Sequence, residues 1–256
     1  MRFKLAATHL VWLLLSIGNA MAQVTYDASS KAFCVVNGSC TSGNTVLTFS
    51  HTTSSGTGRG IALGCTVGGG SATVQPNIST ATYAGVSMSQ LAKRDANYDT
   101  YIWTLADGVQ PTSGANNFVV TLASALVSGA DTLTCVGISW TGGNASTTWT
   151  VSNCTGAGNS ATASCTLGAS GASDMLVVFV CNGTSIGAVG TGLTSRQTTD
   201  DSAGACNSFG GATGTGGTTA VSWTVGNDTW QILAAAAKTA SASTAPQRLL
   251  TQGIGF

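Results

Sequence analysis

"AVSWTVGNDTWQILAAAA", residues 220–237, decides the fold class. Side chains alternate between the two faces of a strand. Val221, Trp223 and Val225 therefore share one face, and beyond "GNDT" (226–229) Trp230, Ile232, Ala234 and Ala236 share another run of one face. The polar quartet reads as the turn of a closing hairpin. Both tryptophans fall among apolar neighbours, which makes them core anchors rather than an open platform for a sugar. "YDTYIWTLA" (98–106) repeats the pattern, with Tyr101, Trp103 and Leu105 on one face.

Working outward, similar runs recur at 44–51, 59–67, 80–88, 98–106, 116–123, 131–140, 146–152, 160–167, 174–181, 219–225 and 228–237. They are rich in Thr, Val, Ile and aromatics and are separated by Gly, Ser and Asn, as strands and turns are. No stretch holds a 3.6-residue period; "SMSQLAKRDA" (87–96) has room for one helical turn at most. The expected fold is all-β, an antiparallel β-sandwich of jelly-roll or immunoglobulin-like type stapled by disulfides. The Gly-rich stretch 187–219 reads as a surface excursion tied down by Cys206.

Residues 1–22 have a basic start at Arg2 and Lys4, an apolar run from Leu5 to Ile17, and Ala20 and Ala22 in A-x-A spacing. That is a secretory signal peptide, with cleavage expected before Gln23. Residues 23–43 follow as a polar leader, 44–238 as the sandwich domain, and 239–256 as a linker and terminal segment. No later apolar run is long enough for a helical membrane span. All eight cysteines, 34, 40, 65, 135, 154, 165, 181 and 206, follow the signal segment. An even count behind a signal peptide, without a C-x-x-C pair, reads as disulfides in an oxidising, extracellular setting. Cys34–Cys40 and Cys154–Cys165 bracket turn residues and are expected as local clips. Cys65, Cys135 and Cys181 sit in apolar runs and are expected to bridge across the core.

Only 7% of residues are charged and the net charge is +0, against roughly 25% charged in an average soluble domain. Every acid is Asp. Such a surface lacks the basic stripe that nucleic acid requires, and its weak self-repulsion favours association.

"ATYAGVSMSQL…YDTYIWTLADGVQPTSGANNFVVTLAS…CVGISWTG" and "TAVSWTVGNDTWQILAAAAK" resemble a loosely defined set of secreted bacterial and phage-associated β-sandwich (jelly-roll-like) modules of adhesins and fibres. These modules share a Tyr-x-Gly-Val-x-Met turn, an Ile-Trp-x-Leu strand and a closing Ser-Trp-Thr…Trp hairpin. The resemblance covers about residues 44–238 and implies the fold; for function it implies an extracellular structural or adhesive role.

Catalytic chemistry finds little support. His51 is the one histidine beyond the signal segment, and the nine Asp are scattered. Asp95, Asn97 and Asp99 match the start of a calcium loop, without its glycine and distal Glu. No other cofactor is implied. Trp140 and Trp149 flank a Gly/Asn/Ser loop and are the aromatics expected to face a ligand, with glycans as the partner class. Asn-x-Ser/Thr triplets at Asn37, Asn77, Asn144, Asn153, Asn182 and Asn227 are glycosylation acceptors where a host supplies the enzyme. In the terminal segment Leu250, Ile254 and Phe256 line one face and suit addition of a strand to another copy of the chain.

The sequence therefore suggests a secreted, non-enzymatic structural subunit that partners itself through strand exchange. A carbohydrate-binding or adhesive module is the alternative. An outer-membrane barrel is a third reading, opposed by scarce aromatics and many cysteines.

Overall fold

The computed structural model describes residues 23–239, apart from 37, 69–75, 96–97, 107, 128–130, 145–148, 169, 201–205, 207 and 218–219; for 149–155 and 200 it describes the backbone alone. Residues 1–22 and the terminal residues 240–256, with Leu250, Ile254 and Phe256, lie outside the described residues. So do Asn37 and Asn97 and the side chains of Trp149 and Asn153.

The described chain is all-β, in two antiparallel sheets, without a helix. Its strands are β1 (Thr25–Val35), β2 (Val46–Thr53), β3 (Gly60–Gly68), β4 (Ile78–Tyr83), β5 (Val86–Asp95), β6 (Asp99–Leu105), β7 (Gly114–Leu122), β8 (Thr132–Thr141), β9 (Trp149–Thr166), β10 (Met175–Asn182), β11 (Ile186–Val189), β12 (Leu193–Asp200), β13 (Ser208–Thr215) and β14 (Ala220–Ala237). The stretch 87–96, given at most a helical turn by its sequence, is strand β5.

The first sheet runs β1-β8-β3-β6-β5-β4-β7-β2 and curls until its two ends meet. Strict alternation in β2 makes one face: Leu47, Phe49, His51 and Thr53 are buried and their neighbours exposed. Phe49, Tyr83 and Phe118 pack with ring centroids 4.9–5.0 Å apart, inside a core that also holds Leu63, Tyr101 and Trp103. Side chains, rather than a ladder, close the β1/β2 seam. Ser30 Oγ lies 2.9 Å from His51 Nδ1, and the Asp27 carboxylate accepts from Ser54 N at 3.0 Å and Ser139 Oγ at 2.8 Å. The polar leader is thus a full strand of the sheet, not a segment outside it.

The β4–β5 hairpin turns through Ala84 (φ 51°) and Gly85 (φ 78°), with Tyr83 opposite Val86. Two successive left-handed residues are the two-residue turn whose twist suits a hairpin, and they explain why "YAG" splits the run 80–88 into two strands.

The second sheet runs β11-β14-β10-β13-β12, with β9 also paired to β14. The expected 226–229 hairpin is absent. Residues 220–237 form one strand, and the register against β9 slips between Thr224 and Asp228. This irregularity re-aims the strand. Val221, Trp223, Val225, Trp230, Ile232, Ala234 and Ala236 all enter one core, so the sequence reading of both tryptophans as core anchors holds. Trp223 Nε1 donates to Gly187 O at 3.0 Å and Trp230 Nε1 to Ser160 Oγ at 3.1 Å. The Gly-rich stretch 187–219 is not a surface excursion: it supplies β12 and the central strand β13. At one of its glycines an aromatic ring occupies the place of a side chain. A Cβ on Gly210 would stand 3.1 Å from the Trp223 ring.

Between the sheets lies a third core. β3, β6, β8 and β10 are buried on both faces, because one face lines its own curled sheet and the other meets the opposite sheet. Phe179 of β10 is the centre of the contact. A Cβ on Gly64 would collide with its ring, and one on Gly211 would meet Val136 at 2.7 Å.

Cys34–Cys40 is the local clip expected at the end of β1. Cys65–Cys135 joins residues directly opposite on neighbouring strands β3 and β8, so it staples one wall rather than bridging the core. Cys181–Cys206 ties β10 to the segment before β13. Cys165 is disulfide-bonded as well, and no described cysteine is free. Three such bridges point to an oxidising location outside the cytoplasm.

Candidate functional site

The expected calcium ligands belong to a different arrangement. Asp95 and Asp99 face each other across the β5–β6 hairpin, and the Lys93 ammonium sits between them, 2.6 Å from Asp95 Oδ1 and 3.1 Å from Asp99 Oδ2. Lys93 Nζ also donates to Asn77 Oδ1 at 2.7 Å. Tyr101 OH lies 3.1 Å from that oxygen and 3.1 Å from Asp99 Oδ2, and it accepts from Ile78 N at 3.3 Å. Burial, then the close approach of Asp95, lift Asp99 above the ordinary carboxylate range, opposed by Lys93. The two carboxylates overcome partial burial and hold Lys93 above its usual value. No group of three or more His, Cys, Asp or Glu suited to a metal occurs among the described residues.

Trp140 does not face a ligand. It is 1% exposed, packed in the inter-sheet core over Gly60. The sequence placed it beside a loop, but both faces of β8 are covered, so its side chain is in the core. The acceptor asparagines scatter. Asn227 is exposed in the irregular part of β14, Asn77 is exposed before β4, and Asn144 is half-buried. Asn182 is fully buried and its amide is engaged. Its Oδ1 accepts from Thr184 N and Oγ1 at 2.9 Å and Ser185 N at 2.8 Å, while Nδ2 donates to Gly226 and Thr229 carbonyls at 3.2 Å. It caps the β10–β11 turn and is closed to a glycan in the folded protein.

A cleft of about 360 Å³ opens where the start of β1 meets β12 and β13. Its centre is Arg196, whose guanidinium lies 3.7 Å over the Tyr26 ring and whose Nε donates to Thr213 Oγ1 at 2.7 Å. Stacking and one anchored nitrogen hold the fork in place. Thr194 and Thr215 add hydroxyl groups to the lining. Asp174, also lining it, is saturated by Gly171 N at 2.8 Å, Thr239 N at 2.9 Å and Oγ1 at 3.1 Å, and Lys238 Nζ at 3.6 Å. The cleft therefore presents a positioned cation among hydroxyls, an arrangement suited to a carboxylate. Sequence reading missed it because Arg196 and Tyr26 lie in segments taken for an excursion and a leader; the one signal was the single Arg of the Gly-rich stretch 187–219.

With the fold and these sites in hand, comparison with protein-family models, curated proteins and solved structures returned no match.

His51 is spent on structure. It is 1% exposed, with rings of Phe118 and Tyr83 at 5.5 and 6.1 Å. Burial drives its pKa down to about 4, only partly opposed by the Asp27 charge. Unfolding releases it to its ordinary value of 6.5, so the unfolded chain binds the extra proton between these values. Stability from His51 is complete above pH 6.5 and is lost as pH falls towards 4, by about 3 kcal/mol in all. Urea melts at pH 7 and pH 4.5 should show this loss, and His51→Gln should flatten it. Asp27, held low by hydrogen bonds from Ser54 and Ser139 despite opposing burial, keeps its contribution through this range and loses it only at still lower pH. An unchanged slope in the variant contradicts the assignment.

Proposed function

We propose that the chain is a secreted, non-enzymatic structural subunit of an extracellular or cell-surface assembly. The observation that carries this reading is the way the fold spends its polar groups on rigidity. The histidine closes a seam, the acids cap backbone groups, and disulfides staple both sheets. Edge management supports self-assembly at one place. The outward carbonyls of Arg196 and Thr198 on β12 are taken by Ser29 Oγ and Lys31 Nζ, and the β1/β2 seam is bridged. β9, by contrast, pairs with β14 on one side and with no described strand on the other. It carries no charge along residues 149–166, the kind of edge that accepts a further strand. The terminal segment, with Leu250, Ile254 and Phe256 on one face, is the strand proposed to add to a neighbour, a head-to-tail contact that makes open polymers. Deletion of residues 246–256 should leave the melting temperature unchanged and abolish polymers in size exclusion and negative-stain imaging. Assembly of the truncated chain like the full one removes the tail from the account.

The Arg196 cleft favours a second reading, an adhesive module for acidic saccharides. Glucuronate and galacturonate oligomers, titrated by calorimetry, should bind more tightly than neutral glucans, and Arg196→Ala should weaken them at least tenfold with the fold intact. Equal binding of neutral and acidic oligomers, or an unaffected variant, rules this reading out.

A further inference from the structure

The Lys93 cluster brings together an amine, a carboxamide and a carboxyl group within hydrogen-bonding distance. It does so at a mechanically weak point. The β4–β5 ladder has only two registered pairs, Thr82↔Ser87 and Tyr83↔Val86, while Asn77 and Lys93 stand at the open end of that hairpin. We propose that Lys93 Nζ and Asn77 Cγ join in an intramolecular amide bond that releases ammonia and locks the hairpin into the wall of the first sheet.

Each group has a part. Lys93 Nζ lies 2.7 Å from Asn77 Oδ1, and its position is set by the β5–β6 ladder, where Lys93 is directly opposite Tyr101 and its Nζ sits 5.2 Å over that ring. Tyr101 OH, 3.1 Å from the same Oδ1, polarises the carbonyl and stabilises the oxyanion. Asp99 Oδ2, 3.1 Å from Nζ, takes a proton from the ammonium. The freed lone pair forms the Nζ–Cγ bond, and the carbonyl electrons move to Oδ1. When they return, the Cγ–Nδ2 bond breaks: Asp99 hands its proton to Nδ2, which leaves as ammonia, and takes the surplus proton from Nζ, which becomes the amide nitrogen, before yielding that proton to the departing ammonia. Reactants and products balance: an amine and a carboxamide become a secondary amide and ammonia, with no oxidant or cofactor.

Electrostatics set the pace. Asp95 and Asp99 keep Lys93 as an ammonium most of the time, while burial makes Asp99 a better proton acceptor than an exposed carboxylate. The amine is a minor species, so the step is slow. The fold compensates by holding the pair together permanently, and loss of ammonia to solvent makes one turnover final.

The test is proteolytic digestion and mass spectrometry of the aged, folded, full-length protein. The expected product is a branched peptide joining residues 77 and 93, lighter than the sum of its parts by one ammonia, about 17 Da. It should be absent in Lys93→Arg and at least tenfold scarcer in Asp99→Asn that retains its near-ultraviolet circular dichroism. An N-terminal glutamine also loses ammonia, but that loss persists in Lys93→Arg and does not join the two residues. If Lys93→Arg or Asp99→Asn fails to fold, the wild-type digest decides alone. Separate peptides carrying unmodified Asn77 and Lys93, or a glycan on Asn77, overturn the proposal. The outcome is independent of whether the chain polymerises.

Discussion

Phe179 seated in the notch left by Gly64 is the contact on which the molecule depends. Each sheet curls around a core of its own, and a curled sheet presents a convex back that packs poorly against another. Removing the Cβ at Gly64 of β3 and at Gly211 of β13 lets the backbones approach until Phe179, Val136 and Ile138 fill the gap. The ring of Phe209, parallel to Phe179 with centroids 6.2 Å apart, extends the contact. Polar links at its rim fix the register. Tyr98 OH donates to Thr229 O, and the fully buried Gln231 donates through Nε2 to Tyr98 O. Two small half-closed sheets thereby become one three-core body, in a chain with few charges to hold its surface together.

Residue alternation made most of the fold legible. It gave the all-β class and the inward faces of Trp103, Trp223 and Trp230, while the turn residues between Cys34 and Cys40 gave their disulfide clip. It misled where one physical effect imitates another. "GNDT" has turn composition, yet it is a register slip inside a continuous strand, because β9 pairs with residues on both sides of it. "SFGGATGT" has loop composition, yet it is a central strand whose missing side chains are replaced by Trp223, Phe179 and Val136 from elsewhere. Neither substitution is visible without knowing what packs on top.

The candidate sites were harder to read for a related reason. Asp95 and Asp99 were recognisable as paired carboxylates, but the cation that occupies them is a covalent part of the chain two and six residues away. Trp140 was assigned to solvent from its loop-side position, whereas β8 is covered on both faces, by its own curled sheet and by the opposite one. Arg196 and Tyr26 come together from strands 170 residues apart, a juxtaposition that no local pattern announces. The same economy runs through all of these. In a chain with nine acids and nine lysines and arginines, most described charges are engaged with a named backbone or side-chain partner, which makes the free fork of Arg196 and the crowded Lys93 node stand out.

The inter-sheet contact can be tested directly by a double-mutant cycle between Gly64→Ala and Phe179→Leu, measured by equilibrium urea unfolding. Alanine is the better residue in an ordinary strand, so a cost for Gly64→Ala reports the collision with the ring. That cost should be about 1–3 kcal/mol in the wild-type background. It should fall by at least about 1 kcal/mol when Phe179 is already leucine, a coupling typical of residues in contact. Additive effects, or a Gly64→Ala variant as stable as the wild type, would contradict the account of how the two sheets are joined.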